Sequence, residues 1–420
     1  MHRSRIVITS ALLAFFIKLY IASHTIGSSD VVLFQQWGRL IEKDGLSHTY
    51  ENVKLFNHTP LVGNFSAVLV SLCGHNLENL DTSNMQVLLR SIQASHFPLL
   101  LRLPGILADF LSALLVLHIT GRYFKNCPTW ALTLFALSPV SMMVSGYHGN
   151  LDSLLPLLLL ASLWACLESK AGLCGLALAF ACQIKVAPLL IAPAFFFYWW
   201  QRKEWIRFSL SAVSLTLAGW SPALIGAPLA FFNNTLSYSG YWGLWGISYW
   251  LKASGISGFT QFGTFKLEPA QKLVIAATKY LVIGISLLFS WRNRTKDATT
   301  LCQTIAIIGC AFFVFSPGIA VQYFVWFTPF FLLATPRWHA AITAAGTVFL
   351  FVFYNTISNG TPWTIKPWVV GISANKHIPL WGPWHVLPWM VFVAYGVWWL
   401  SKGIRQKHQT LEPEVPVTIS

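Results

Sequence analysis

The sequence predicts an all-α integral membrane protein, and three observations support this fold class. Of the 420 residues, 55% are hydrophobic and only 10% are charged, and the chain contains 20 Trp and 31 Phe. A soluble fold of this size could not cover so much apolar surface with polar side chains. The apolar residues also fall in runs long enough to cross about 30 Å of hydrocarbon as helices. The basic residues lie in short clusters between these runs.

The first apolar run, from Ile6 to Ala22, follows Arg3 and Arg5 and is similar to a secretory signal. No clear small-x-small cleavage site follows it, and later runs have the same character, so we expect an uncleaved first helix. Lys18, near the outer end of this helix, is interpreted as a snorkelling side chain.

The remaining runs predict a bundle of about twelve transmembrane helices. The segment 171–200 is long enough for two short spans, separated by the polar break Gln183-Ile184-Lys185. The other predicted spans are 6–23, 98–120, 129–146, 151–168, 207–225, 270–290, 299–315, 320–335, 339–355 and 384–400.

The distribution of Lys and Arg predicts the orientation, because basic loops remain in the cytoplasm. Alternate threading of the spans places both termini and the basic clusters on this side, and 408–420 is predicted to be a polar cytoplasmic tail. The net charge of +14 then reflects topology and contact with anionic lipid head groups, so we do not expect nucleic-acid binding. The clusters are Arg3/Arg5, Arg122/Lys125, Lys170, Arg202/Lys203/Arg207, Arg292/Arg294/Lys296, Arg337 and Lys402/Arg405/Lys407.

Three long segments, 24–97, 226–269 and 356–383, fall on the outer side of the membrane. Within the first, Val31 to Lys43 is amphipathic, and Leu61 to Cys73 is apolar but too short to cross. Both are predicted to be interfacial helices. The sequence shows no internal repeat and no soluble domain.

Asp30 is the first candidate for a functional residue. It is the only acid in the first forty residues and follows the first apolar helix. A carboxylate in this position is poorly hydrated and needs a partner or a function. The threading places further polar groups on the same side, at the ends of separate helices, and together they predict an outward-facing cavity. These groups are His58, His148, Asp152, Lys185, Gln322 and Tyr323.

His148 and Asp152 are four residues apart and could share one helical face, as a proton-sharing pair or as two metal ligands. Alternatively, Asn150 and Asp152 cap the following helix. A metal needs more ligands than this stretch supplies, and the 7 Cys lack paired metal spacing, so no metal site is predicted. Lys185 could bind a lipid phosphate or diphosphate as a point charge, or it could snorkel.

Several motifs occur in a characteristic order along the chain. They are Asp30, Asn57-His58-Thr59-Pro60-Leu61, Leu101-Arg102-Leu103-Pro104-Gly105-Ile106-Leu107-Ala108-Asp109, Ala136-Leu137-Ser138-Pro139, His148-Gly149-Asn150-Leu151-Asp152, Gln183-Ile184-Lys185 and the segment 315–326. In this order the chain resembles the GT-C superfamily of glycosyltransferases, multi-span enzymes that use polyprenyl-phosphate-linked sugars. The resemblance covers about 1–200 and 312–335. It implies a GT-C-like bundle with a catalytic module at 1–200 and a variable transmembrane module at 201–407.

The resemblance also implies an activity and a set of site residues. The enzyme would move a hexose of the mannose or glucose type from a polyprenyl-phosphate donor to a lipid-linked or glycan acceptor, with inversion and without a cofactor or metal. Asp30 matches the general base, although many relatives have two adjacent acids where this chain has Ser29-Asp30. Lys185, His148 and Arg102 would bind the donor phosphate, and a further group would line the substrate cavity. This group is His58, Asp152, Gln322, Tyr323 and Trp242.

Some alternatives stay open at the level of sequence. Trp242, within an aromatic-rich outer segment, could stack on a sugar or anchor the chain at the interface. A transporter or lipid flippase could use the same polar groups, but it would favour polar residues through the full membrane depth and repeated halves. A structural subunit would leave Asp30 dispensable. The expected location is the bacterial inner membrane with the site facing outside, or the endoplasmic reticulum membrane in a eukaryote. No oligomeric state is predicted.

Overall fold

The computed structural model describes residues 2–73, 95–238, 240–263, 266–294, 297–358 and 382–409. Across these ranges the regular elements are helices, apart from one isolated antiparallel bridge between Trp242 and Gly263. The main α-helices are α1 (His2–His24), α2 (Ser29–Asp44), α3 (Leu46–Asn52), α4 (Pro60–Leu72), α5 (Phe97–Arg122), α6 (Thr129–Ala136), α7 (Leu154–Leu167), α8 (Ala171–Ile184), α9 (Ala192–Gln201), α10 (Trp205–Gly226), α11 (Gly246–Ala253), α12 (Pro269–Arg292), α13 (Ala298–Phe315), α14 (Thr328–Ala334), α15 (Pro336–Ser358) and α16 (Val386–Gln409).

Seven helices within the described ranges are long and apolar enough to cross a membrane. Four shorter apolar helical segments accompany them, and the chain thus has the helices of a multi-pass membrane protein. The count of about twelve crossings stays a prediction. The seven candidates are His2–His24, Phe97–Arg122, Thr129–His148, Trp205–Gly226, Pro269–Arg292, Ala298–Phe315 and Pro336–Asn355. The predicted outer loop 356–383 and the tail 408–420 lie mostly outside the described residues.

The helices differ in how much of their surface faces outward. Helix α13 is central, because 61% of its most apolar stretch is buried inside the protein. The corresponding share is 17% for α10 and 28% for α12. Leu210 on α10 and Leu273 on α12 are largely exposed. Such exposed apolar faces are stable when they contact lipid.

The two helices predicted in the first outer loop are both present. The amphipathic stretch forms α2, where the Ser28 hydroxyl accepts a hydrogen bond from the Asp30 amide as the N-cap. Helix α4 packs against α2 at Gly38, where an added Cβ would lie 2.5 Å from the Ser66 carbonyl oxygen. This close packing fixes the middle of α2, the helix that carries Asp30 in its first turn, against α4.

Three of the predicted spans contain breaks close to the polar residues. The segment 129–148 leaves α-helical geometry after Ala136 and ends as a π-helix, Met142–His148. Helix α8 ends at Ile184, and Lys185 is extended. The predicted span 320–335 is a 3₁₀ helix, Val321–Val325, followed by α14, which starts with Thr328-Pro329. Proline suits the first turn of a helix and not its interior, so Pro329 starts a new helix.

The snorkelling interpretation of Lys18 is wrong. Lys18 is buried, and its Nζ atom lies 2.6 Å from Asp109 Oδ2. The hydroxyls of Ser141 and Ser145 donate to the same oxygen at 2.6 and 2.5 Å. A buried charge is stable only with such partners. The ion pair therefore ties α1 to α5 and to the π-helical segment that carries His148.

Candidate active site

Asp30 lies at the centre of a small hydrogen-bonded network. Its Oδ2 atom is 3.0 Å from His148 Nε2, and His148 Nδ1 is 2.9 Å from the Tyr354 hydroxyl. Gln322 also donates to Asp30 Oδ2, at 3.4 Å. The Asp30 side chain keeps 25% of its surface exposed, whereas that of His148 keeps 6%. Asp30 is thus the member of the network that a substrate can reach.

Two glycines allow Asp30 and His148 to approach each other. Gly27 and Gly149 have φ angles of 101° and 85°, which favour glycine. An added Cβ at Gly27 would lie 2.6 Å from the Tyr147 carbonyl oxygen, and one at Gly149 would overlap Val31. The Ser28 hydroxyl and amide both donate to the His148 carbonyl, at 2.6 and 3.1 Å. These backbone contacts hold the start of α2 against the end of the π-helix.

Lys185 and Asp152 form a second, looser pair. Lys185 Nζ is 3.9 Å from Asp152 Oδ1, while the Trp326 indole donates to Asp152 Oδ2 at 2.9 Å. Asp152 is 1% exposed, so it orients the lysine from behind. Asn150 Oδ1 accepts from the Asp152 amide at 3.1 Å, but the following helix has Ser153 as its N-cap without a side-chain hydrogen bond, so neither Asn150 nor Asp152 caps it as predicted. The wide separation leaves the ammonium group able to bind a second anion.

The two acids have opposite electrostatic environments. Burial opposes ionisation of Asp30, but His148 and Lys185 together outweigh it and hold the pKa of Asp30 below its ordinary value. Burial raises the pKa of Asp152, and Lys185 and the Trp326 indole offset only part of the rise. Carboxyl groups whose pKa values are driven apart are typical of a site that handles protons. Of the two acids, Asp30 is the one whose environment favours the ionised form.

Lys185 lines a cavity of about 520 Å³. Tyr323, Tyr238 and Lys279 contribute further polar groups to the lining, and the Lys279 ammonium group donates to the Ser237 carbonyl oxygen. Most of the wall is apolar and comes from the segment after α8, from the start of α9 and from α12. Its apolar residues include Leu189, Leu190, Pro193, Val282, Ile283 and Leu287. A cavity that is apolar over most of its wall and also carries a lysine fits a lipid phosphate.

The structure does not bring Arg102 into this cavity. Its side chain is fully buried, and its guanidinium donates to the carbonyl oxygens of Pro98, Ile26 and Gly146, at 2.8, 3.0 and 2.9 Å. It also donates to the hydroxyl and carbonyl of Thr25. Arg102 therefore joins the segment before α2 to the π-helix, and this geometry leaves it no free donor for a phosphate.

Trp242 likewise packs away from the cavity. It is buried, its indole donates to the Phe259 carbonyl oxygen at 3.1 Å, and its ring stacks on the Phe259 ring. Neither sugar stacking nor interface anchoring describes this position. Within the same aromatic-rich segment, 238–246, Tyr238 and Gly240 line the cavity.

His58 lies beneath the site in an aromatic cage. Its ring centroid is 4.8 Å from that of Phe34 and 5.2 Å from that of Trp37. Burial lowers its pKa far below the ordinary value, and the charge of Lys185 lowers it further. His58 is therefore neutral and close to Lys185. Tyr323 lines the cavity directly and stacks on Trp326, with ring centroids 3.7 Å apart.

Sequence reasoning missed four contributors. Tyr354 lies inside an apolar span, where no local signal marks it. Trp326 belongs to a quoted motif but had no assigned role. The contact-forming glycines, Gly27 and Gly149, were visible only as ordinary glycines. Among the described residues, no group of three or more His, Cys, Asp or Glu could hold a metal ion.

These features define a multi-span membrane protein in which a carboxylate–imidazole pair lies near a lysine that lines a mostly apolar cavity. The family model of glycosyltransferase family 87 matches residues 98–317, more than half of the chain. The chain belongs to this family, which consists of GT-C type membrane glycosyltransferases. It is thus a glycosyltransferase, the class that the sequence favoured over a transporter or structural subunit, and the resemblance to the GT-C superfamily is confirmed. No curated protein matches the chain.

Proposed function

We propose that the enzyme transfers a hexose, of the mannose or glucose type, from a polyprenyl-phosphate-linked donor to a lipid-linked or glycan acceptor. Asp30 acts as the general base, and the reaction inverts the anomeric carbon. One observation carries the proposal: Asp30 contacts His148 and experiences the charge of Lys185, and Lys185 lines a cavity with a mostly apolar wall. A base beside a lipid-phosphate site is the arrangement that this transfer needs.

The cavity supports a polyprenyl-phosphate donor by its two kinds of surface. Leu190 and Val282 belong to the apolar wall, which suits a polyprenyl chain, and Lys185 lies where the phosphate would sit. A nucleotide-linked donor would need hydrogen-bonding partners for a base and ribose, and the apolar wall offers few. Tyr323 adds a hydroxyl near the phosphate end.

The transfer proceeds as a single displacement. The acceptor oxygen forms a bond to the anomeric carbon while its proton moves to a carboxylate oxygen of Asp30. The bond from the anomeric carbon to the phosphate oxygen breaks, and its electron pair leaves with the lipid phosphate. Attack from the opposite face inverts the configuration. A positioned base contributes about 10²–10⁴-fold to such a step.

The other site residues position the Asp30 carboxylate and the Lys185 ammonium group. His148 and Gln322 fix the Asp30 carboxylate, and Asp152 fixes Lys185. Lys185 then stabilises the charge that develops on the leaving phosphate. We propose no phosphate contact for Arg102, whose hydrogen bonds hold the backbone beneath the site.

The membrane setting follows from the predicted threading of about twelve spans. The site then opens on the extracytoplasmic side of a bacterial inner membrane, or on the lumenal side of the endoplasmic reticulum in a eukaryote. Membrane lipids surround the exposed apolar faces of α10 and α12. The proposed reaction needs no cofactor.

The decisive experiment is transfer by the purified enzyme from a panel of polyprenyl-phosphate mannose and glucose donors. Asp44→Asn is the matched control for Asp30→Asn, because Asp44 is an exposed acid on the same helix. We expect an inverted product from the wild type, a loss of about 10²–10⁴-fold in Asp30→Asn and little change in Asp44→Asn. Full transfer by Asp30→Asn would show that Asp30 is not the base. Transfer from nucleotide sugars alone would show that the donor is not a polyprenyl-phosphate sugar.

A further inference from the structure

A second cavity, of about 620 Å³, lies beside the donor cavity. Its lining is more polar, with amides, a carboxylate, an ammonium group and hydroxyls. Asn233 and Lys54 are exposed at its rim, as is Glu51. Ala227, Pro228, Leu229 and Ala230 form its apolar part.

The two cavities share Tyr238 as a common lining residue. The segment before it is a π-helix, Phe232–Leu236, a geometry that often occurs at functional sites. Hydrogen bonds hold this segment on both sides. Asn234 donates to the Tyr50 carbonyl oxygen at 2.9 Å, and Lys279 donates to the Ser237 carbonyl oxygen at 2.9 Å. The segment 232–238, which contributes Tyr238 to both cavities, is thus held in place by hydrogen bonds to neighbouring elements.

Tyr238 links the second cavity to the region of Lys185, because Tyr238 and Lys185 both line the donor cavity. Burial raises the pKa of the Tyr238 phenol, and the charges of Tyr241 and Asp30 raise it further. A group that enters past Tyr238 from the second cavity would therefore reach the donor cavity. The donor phosphate reaches the same region from the other side, at Lys185.

We propose that the second cavity binds the saccharide head of a lipid-linked acceptor, and that Tyr238 separates this head from the donor. The proposal rests on the proposed function. Amide, carboxylate and ammonium groups are suited to the hydroxyls of a sugar. Leu229 lines the cavity, and Ile225 and Phe232 are exposed near it in the chain, so these three side chains supply an apolar surface for the acceptor's lipid.

The test begins with binding of probes that contain no phosphate. Octyl glycosides of mannose and glucose disaccharides, and the same disaccharides without the alkyl chain, are titrated onto the full-length enzyme in amphipol. Asn233→Trp places a large side chain in the cavity from an exposed position, and Asn64→Trp is the control at an exposed asparagine on α4. We expect about 10-fold weaker binding of an octyl glycoside by Asn233→Trp, the equivalent of about 1.4 kcal/mol. Asn64→Trp should bind as the wild type does.

A kinetic test follows the same variants. Asn233→Trp should raise the KM of the acceptor by about 10-fold, while the KM of the donor and its slow hydrolysis without acceptor stay unchanged. Equal binding and kinetics in Asn233→Trp and the wild type would overturn the acceptor site. Equal affinity for alkylated and free disaccharides would overturn the lipid-linked acceptor.

The two proposals fail in different ways. If polyprenyl-phosphate sugars are not used as donors, the proposed function fails, yet binding of the phosphate-free glycosides still reports on the second cavity. If transfer occurs but Asn233→Trp weakens use of the donor and not of the acceptor, the acceptor assignment fails alone.

Discussion

His148 Nε2 lies 3.0 Å from Asp30 Oδ2, although 118 positions separate the two residues along the chain. The Tyr354 hydroxyl contacts the other ring nitrogen, so the imidazole is held from both sides. His148 therefore orients the Asp30 carboxylate, which we propose as the base, and Tyr354 of α15 in turn orients His148. Four predictions concern the residues of this network and those that support it.

Replacing His148 with Gln should change the pH dependence of transfer. The charge of His148 and that of Lys185 keep the pKa of Asp30 low against the effect of burial. Without the imidazole, burial has more weight and the pKa rises, so activity should fall at a higher pH as the solution is acidified. We also expect about a 10-fold loss of kcat/KM near neutral pH. The measurement is the profile of kcat/KM against pH, and an unmoved acid limb would contradict the proposed link.

Replacing Lys185 with Met should remove the charge that faces the leaving phosphate. We expect kcat/KM to fall by about 10²–10³-fold, the cost of losing one preorganised electrostatic contact. Lys43→Met is the control, because Lys43 is an exposed lysine near the end of α2. Steady-state kinetics with a polyprenyl-phosphate sugar measure both variants. A Lys185→Met enzyme with wild-type kinetics would show that the phosphate binds elsewhere.

Replacing Gly149 with Ala should displace Asp30 without unfolding the protein. Gly149 has a φ of 85°, and a Cβ there would overlap Val31 in the first turn of α2. We expect a loss of stability of about 1–2 kcal/mol and a larger fractional loss of transfer.

Two further variants make this test specific. Gly121→Ala is the control, because an added Cβ at Gly121 meets nothing within 4 Å. The double variant Gly149→Ala with Val31→Ala should recover part of the activity, since the overlapping methyl group is gone. Transfer rates and thermal midpoints are compared, and an unaffected Gly149→Ala enzyme would refute the role of this contact.

Replacing Lys18 with Met should destabilise the fold more than the chemistry. The variant leaves the Asp109 carboxylate buried with only the hydroxyls of Ser141 and Ser145 as partners. Breaking a buried ion pair costs about 3–5 kcal/mol. Adding Asp109→Asn should restore most of the loss, because no unpaired charge remains. Thermal unfolding in detergent tests both variants, and equal midpoints for Lys18→Met and the wild type would disprove the buried pair.

The site was largely predictable from the sequence where helix ends were involved. Asp30, His148 and Gln322 were expected on one side, and the structure brings them within hydrogen-bonding distance. Lys185 was expected as a phosphate-binding point charge, and it lines a lipid-sized cavity. Span length sets the depth of a helix end in the membrane, so the polar residues at these ends share one depth. Their roles in catalysis stay predictions.

The direction of each side chain was not predictable in the same way. Arg102 and Lys185 are both cations near span ends, but Arg102 donates to backbone carbonyls and Lys185 faces a cavity. Trp242 packs inside its own loop, while Tyr238 separates two cavities. Tyr354 sits in an apolar helix and still contacts His148.

By itself, the sequence determined the class of protein and the positions of most helices, and it predicted the side of the membrane on which the polar groups gather. Hydrophobic run length and the placement of basic residues carry that information along the chain, because each depends only on local composition. The tertiary structure alone decided which of those polar groups share a cavity and which hold the backbone. Those outcomes depend on which helices are neighbours and how each is rotated, and the contacts that settle them join residues far apart in the chain.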